Sequence, residues 1–302
     1  MKFVEPAVSE ILETDPIKKI ELIGRTCYKS GNAITEGSAA KFVTNLIKNK
    51  HYAMLEHVVF TFVADKFDIV QDINCSIFST KFMEISLYSG IGKAVISCNL
   101  RAIMEGCGGL IDTLRTALCI KYPSLFGMIL PEINFREHSG ATVVTREELI
   151  ESLLDDDLDK HTYRTFKFVT DRGVTHELVR HRVASFAQSS TRYCNYSKDK
   201  FGNEITYVKS DSWKDLSEDA LVSLYDTLKS AENSYMQLIS NGCTPQIARA
   251  VLPNQLMTEI VVTASEAEWH HIADLRLRGI TGAPHPDMQY LMSKVKEIYP
   301  GI

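Results

Sequence analysis

The sequence predicts a mixed α/β or α+β fold, and three observations carry that prediction. Stretches with the three-to-four-residue apolar spacing of an amphipathic helix alternate with short runs of β-branched and aromatic residues. At 302 residues and 45% hydrophobic content, the chain can bury a large core, as one large domain or two small ones. It contains no internal repeat, no low-complexity segment and no apolar run of membrane-spanning length.

Ser9 to Cys27 reads as an amphipathic helix, with Ile11, Ile17, Ile20, Leu22 and Ile23 as its apolar positions around a break at Asp15-Pro16. Ser38 to Lys50 reads as a second, with Ser38 as N-cap and Phe42, Val43, Leu46 and Ile47 on one face. Val58 to Ala64 is a strand, and Phe166 to Thr170 repeats its pattern before leading into Gly173 to Arg182. Between them, Ala94 to Glu105 and Ile111 to Tyr122 look helical. The acidic run Asp155-Asp156-Asp157-Leu158-Asp159 is expected to be solvated rather than to hold a metal. A turn at Phe201-Gly202-Asn203 precedes a long helix, Leu216 to Ile239, which Ser240-Asn241-Gly242 ends. Thr244 to Val251 and Ala264 to Arg278 complete the chain.

The formal net charge of −5 argues against a binder of nucleic-acid polymers, whose affinity comes from a surplus of Lys and Arg over phosphates. Seven cysteines (Cys27, Cys75, Cys98, Cys107, Cys119, Cys194 and Cys243) form no Cys-x-x-Cys pair, which fits a reducing cytoplasm. Met1 to Pro6 lacks the basic-then-apolar layout of a signal peptide, so neither export nor a membrane is expected.

Basic residues concentrate locally instead. Arg180-His181-Arg182 is followed by Ser185, Gln188-Ser189-Ser190-Thr191-Arg192-Tyr193, with no carboxylate among them. Arginine forks beside small hydroxyls suit a phosphate or the oxygens of a nucleotide. Rival motifs are weaker. His176-Glu177-Leu178-Val179-Arg180 starts like a zinc-protease helix but puts arginine where the second ligand belongs, and His181 falls off the ligand face, so no metal is expected. Ser89-Gly90-Ile91-Gly92-Lys93-Ala94 lacks the glycine spacing and the Ser or Thr of a phosphate loop, and no dinucleotide glycine fingerprint occurs. No histidine or carboxylate is placed by sequence to activate Ser190, and the cysteines lack an activating context.

Arg-His-Arg followed by Ser190, Arg192 and Tyr193 resembles the signature of the flavin-dependent thymidylate synthases. Further stretches agree in order and spacing. His51 to Phe62 resembles that family's His-x-x-x-x-Glu-His segment and the strand after it. Arg249 with Leu252-Pro253 and Thr258-Glu259 resembles its nucleotide-holding segment, Leu275-Arg276 the site of its activating arginine, and Gly24 to Tyr28 the end of its opening helix. The resemblance implies a single domain over residues 1–302, a central sheet flanked by long helices with a largely helical insertion at about 65–165, in a homotetramer with shared active sites.

It also implies an activity: reductive C5-methylation of dUMP to dTMP, with methylenetetrahydrofolate as carbon donor and NADPH-reduced FAD as hydride source. Under that resemblance Arg276 is the catalytic residue, stabilising negative charge on the uracil. Glu177, Arg180, Gln188, Ser189, Ser190, Arg192 and Arg249 would bind the nucleotide, and His51, Arg180, His181, Arg182, Gln188, Ser265 and His271 the flavin. The chain departs from the family pattern at Ala53, Ala187, Ser265 and Ala267, mostly positions that serve the flavin. Two alternatives therefore stand beside the first reading: a flavoenzyme acting on another pyrimidine nucleotide, and a non-catalytic nucleotide-binding relative.

Overall fold

The computed structural model describes residues 1–65, 82–88, 90–129, 139–152 and 156–302; Cys75, Ser89 and Asp155 lie outside them. Strands β1 (Lys2–Val4) and β2 (Ala7–Glu10) open the chain, followed by helices α1 (Pro16–Tyr28) and α2 (Ser38–Lys48) and strand β3 (Val59–Asp65). Next come β4 (Met83–Tyr88), β5 (Lys93–Asn99), α3 (Leu100–Glu105), α4 (Gly109–Lys121), α5 (Pro123–Ile129), β6 (Ala141–Val144) and α6 (Arg146–Ser152). Then follow β7 (Tyr163–Asp171), α7 (Arg172–Leu178), β8 (Ala184–Gln188), β9 (Thr206–Val208), α8 (Glu218–Ser240), α9 (Pro245–Ala248), β10 (Met257–Ser265), α10 (Glu266–Ala273) and α11 (Pro286–Ile298).

Three local readings change. Ser9 and Glu10 end a strand, and the first helix starts only at Pro16. Proline suits that position because it has no N–H to leave unpaired, and Asp15 Oδ1 caps the turn by accepting from Ile17 N and Lys18 N. At α2 the cap position falls to Gly37, and the Ser38 hydroxyl instead donates to Thr35 O or Glu21 Oε2. The expected helix over Ala94 to Glu105 is a strand through Asn99 and a helix only from Leu100. Ala94 to Asn99 is buried throughout, so its apolar run lacks the alternation that marks a half-exposed strand.

Two four-stranded sheets organise the fold. The first has the order β2-β7-β10-β8 and is antiparallel throughout, with β10 pairing β7 from Met257↔Asp171 to Ser265↔Tyr163 and β8 from Ile260↔Gln188 to Ala264↔Ala184. The second has the order β4-β5-β3-β6. Among the described residues, the stretch between 65 and 165 thus supplies helices α3 to α6 and also strands β4 to β6.

Each sheet has its own core. Phe166, Phe168, Ile260 and Val262 of the first pack on Trp269 and Ile272 of α10 and Leu291 and Val295 of α11, all fully buried. Phe60, Phe62 and Ile96 of the second pack on α1, α2 and α4 through Ile20, Val43 and Leu114. A third cluster joins Leu228 and Tyr235 of α8 to Tyr207 of β9. His57, in the turn that leads into β3, reaches the first sheet: its Nδ1 lies 2.8 Å from Thr263 Oγ1 of β10, which lies 2.8 Å from Thr165 Oγ1 of β7. No helix among the described residues is long and apolar enough to cross a membrane.

Candidate functional site

The antiparallel pairing of β7 and β8 with the same partner makes those two strands run in one direction, and α7 with its following turn returns the chain between them. Arg172 therefore stands at the end of β7, near the end of β8 at Gln188, while His181 stands before the start of β8. The sequence-predicted residues fall into two groups accordingly.

The first group gathers beyond the C-terminal end of β8. Arg172 Nη1 points at Ser189 O (3.4 Å), Arg249 Nη1 donates to Thr191 Oγ1 (3.3 Å), and Arg192 Nε donates to Gln246 Oε1 (3.3 Å). None of the three forms an ion pair among the described residues. Burial holds the Arg172 pKa below its ordinary value, with Tyr196 opposing and the Arg249 charge adding to the effect. Glu259 does not neutralise the cluster, because Lys29 and Lys167 already engage its carboxylate and, against the effect of burial, keep its pKa low. Guanidiniums without an ion pair among the described residues offer the charge and the donors that an anion takes.

The remaining members of this group are largely committed. Ser189 is 6% exposed and its hydroxyl is bound to the Glu259 backbone, so it continues the β8–β10 ladder. Gln188 Nε2 donates to Thr175 Oγ1 (2.9 Å) and Thr258 Oγ1 (3.3 Å), leaving its Oε1 available. Ser190 is half-buried, its backbone N–H bound to Cys27 O at 3.1 Å.

The second group surrounds Arg276. It sits in a π-helical turn, Asp274–Arg278, that continues α10, an irregularity frequent at functional sites. Gly279 closes the turn at φ +67°, where a Cβ would come within 2.9 Å of Gly282 O, so only glycine fits. Arg276 Nη1 donates to Glu177 Oε2 (2.9 Å) and Nε to His181 Nε2 (3.1 Å). Arg278 takes Asp274 at 2.7 Å, which leaves Arg276 to reach across to α7. Because His181 Nε2 accepts, the ring proton belongs on Nδ1, which faces Glu268 Oε1 at 3.8 Å. The His271 ring is 6.2 Å away, edge-on.

His181, Glu268 and His271 place ligand-type atoms within 4.8 Å of one another. A cation there would need the Nδ1 lone pair, which forces the proton onto Nε2 against the Arg276 N–H. This arrangement favours Arg276 over a metal.

Other expected residues lie apart. Arg180 and Arg182 are exposed and form no ion pair among the described residues, and Arg182 lines a separate cavity of about 390 Å³. His51 is exposed, and among the described residues no side-chain bond or ring contact ties it to the His181 group. Ser265 caps α10, its Oγ accepting from Glu268 N at 3.2 Å, which uses the hydroxyl structurally. Ala187 is fully buried between Ile23 and Val261, so no polar side chain would fit without a partner.

Sequence reasoning missed Arg172 and Glu268. Glu268 stands three residues before His271 and so on the same helix face, a signal present in the sequence. Arg172 follows a strand and opens a helix, with no pattern of its own to mark it.

Fold and site together define a mixed α/β protein with a guanidinium cluster beyond one end of β8 and a separately held arginine before the other. The chain belongs to the thymidylate synthase complementing protein family, whose model matches residues 10–71 and 133–300. It is 33% identical over 107 residues to a flavin-dependent thymidylate synthase of Geobacter sulfurreducens, covering 35% of this chain and 43% of that one. To the proteins of that name from Saccharolobus solfataricus and Pyrococcus furiosus it is 34% and 33% identical over 119 and 150 residues, covering 39% and 43% of this chain. These alignments span 43% and 59% of the two relatives, so the chain spans about half the length of the curated proteins it matches. A UMP/dUMP methylase from Streptomyces cacaoi superimposes over 99% of this chain and 92% of its own with 12% identity and a TM-score of 0.43, too loose a fit to support an argument.

Proposed function

We propose that this chain methylates dUMP at C5 to give dTMP, taking the carbon from methylenetetrahydrofolate and the hydride from FAD reduced by NADPH. The observation that carries the reading is the set of guanidiniums of Arg172, Arg192 and Arg249, without an ion pair among the described residues, beside Ser190 and Thr191, which suits a nucleotide phosphate. Arg276 supplies the complementary function. Its guanidinium, already held by Glu177 and His181, stabilises negative charge on a uracil oxygen as the N3–H ionises, and the more electron-rich ring attacks through C5.

The donor set supports FAD in part. Arg180 and Arg182 form no ion pair among the described residues and suit a pyrophosphate, and His181 is a buried imidazole fixed in orientation. Ser265 is spent as a cap and Ala267 has no donor, so the flavin would be held mainly by the Arg-His-Arg segment. When bound, FAD supplies the hydride that completes the methyl group.

The two groups lie at opposite ends of β8. Arg249 is tied to Thr191 after the strand and Arg276 to His181 before it, and five strand residues alone span about 17 Å. In the homotetramer with shared active sites that the family resemblance implies, copies of the chain would complete one another's sites.

The test is incubation of purified protein with FAD, NADPH, dUMP and methylene-labelled methylenetetrahydrofolate, with UMP and dCMP as parallel substrates. Label in dTMP is the expected result. Label only in a product of UMP or dCMP would reassign the substrate, and no label with any of them would overturn the catalytic reading.

A further inference from the structure

A second cavity, of about 520 Å³, is lined by residues of both sheets and of α1, and none of its lining residues belongs to the nucleotide or flavin groups described above. Its charged side chains are settled, with one exception. Arg164 takes Glu10 at 2.9 Å and Glu266 at 2.7 Å, and Arg146 takes Glu266 at 3.1 Å. Glu13 Oε1 accepts from Asp15 N at 2.9 Å, and Glu147 is exposed, where water solvates it. The exception is Lys19 of α1, half-buried, whose ammonium forms no hydrogen bond or ion pair among the described residues. Burial lowers its pKa from 10.5 to about 8, and the charge of Glu10 opposes that without cancelling it. His57, which lines the same cavity, stays neutral and supplies no counter-charge. Lys19 therefore lacks the negative partner that its partial burial calls for.

The rest of the lining is largely apolar. Phe60 and Tyr122 contribute rings 5.6 Å apart, Val143 and Leu149 add aliphatic surface, and Leu12 borders the cavity while 76% exposed to water. These surroundings make a specific demand on a ligand. A phosphate dianion asks for several cations and finds only one without a partner, whereas a neutral apolar molecule leaves the ammonium desolvated. A single carboxylate on an apolar body answers both, because it takes the donors of one ammonium and covers the walls. We propose that this cavity is a binding site for an apolar monocarboxylate, with the carboxylate on Lys19 Nζ and the body against Phe60, Tyr122 and Val143. The site stands independently of the methylation reading, since it shares no residue with the guanidinium cluster or the Arg276 group.

The experiment is calorimetric titration of the full chain with octanoate, with acetate as the head group alone and octan-1-ol as the tail alone. The variants are Lys19→Met, which removes the charge, and Leu12→Asp, which sets a repelling carboxylate at an exposed position that the fold tolerates. Octanoate is expected to bind the wild type saturably, and acetate and octan-1-ol roughly tenfold or more weakly. Each variant should weaken octanoate by a similar factor while keeping a cooperative melting transition, and Lys19→Met should bind octan-1-ol as the wild type does. No saturable binding of octanoate to the wild type, or wild-type affinity for it in either folded variant, overturns the proposal. Equal affinity for octanoate and acetate overturns it by showing an anion site without a tail. Equal affinity for octanoate and octan-1-ol does so by showing an apolar cavity in which Lys19 has no part.

Discussion

Arg276 and His181 are joined directly, Nε to Nε2 at 3.1 Å, and Glu177 takes another edge of the same guanidinium at 2.9 Å. The arginine is thereby oriented before any nucleotide arrives, which is the condition for electrostatic catalysis without reorganisation at the moment of reaction. Its ion pair with Glu177 leaves only part of its charge for the proposed substrate.

Replacing Arg276 by Ala should therefore cost dTMP formation a factor on the order of 10² or more, as for other single transition-state contacts. Flavin content, read from the visible spectrum of the purified protein, should be unchanged. Wild-type turnover would remove Arg276 from the chemistry.

Arg249→Ala and Arg172→Ala should each weaken dUMP binding. Loss of a charged hydrogen bond is worth about 1.5–3 kcal/mol, or roughly tenfold to a hundredfold in dissociation constant. Titration of the flavin absorbance with dUMP measures it, and an unaltered constant in either variant would place that arginine outside the pocket.

His57 predicts a pH dependence of stability. Burial, then the charge of Lys19, lower its pKa from 6.5 to about 3, so the folded protein keeps it neutral where the unfolded chain protonates it. Unfolding then takes up a proton below pH 6.5, and stability falls as pH falls from there toward 3, by up to about 1.4 kcal/mol per pH unit. Urea midpoints between pH 7 and 5 should drop less steeply in His57→Asn than in the wild type; equal slopes would show that His57 is not the titrating group.

Gly279→Ala should destabilise by roughly 1–2 kcal/mol, the cost of a left-handed conformation for a residue with a Cβ. Because the position closes the turn that carries Arg276, the variant should lose turnover along with melting temperature. A variant with unchanged melting temperature would mean the turn relaxes elsewhere.

The motif residues were legible because they act locally: Arg180 to Arg192 fall within one strand and its flanks, and Arg276 follows a helix whose pattern is plain. The Arg276–Glu177–His181 joint was not, since it depends on a π turn that no spacing announces. Ala94 to Asn99 was misread because burial on both faces erases alternation, and with that strand went Asn99 as the cap of α3 and Arg101 as the partner of Glu56, roles that appear only once β5 lies beside β3. Ser265 shows the opposite limit: its position was right and its hydroxyl was occupied.

The pairing of β3 with β5 along its full seven residues, Val59↔Asn99 to Asp65↔Lys93, makes the unmatched stretch more than an ornament. Trimming 72–132 to mimic a shorter relative would strip one whole flank of Val-Phe-Thr-Phe-Val-Ala-Asp, a segment of high β-propensity whose one charge stands at its end. An unshielded strand of that composition templates aggregation. Attempts to shorten this protein should therefore yield insoluble material unless a replacement strand or polar substitutions on that edge accompany the cut.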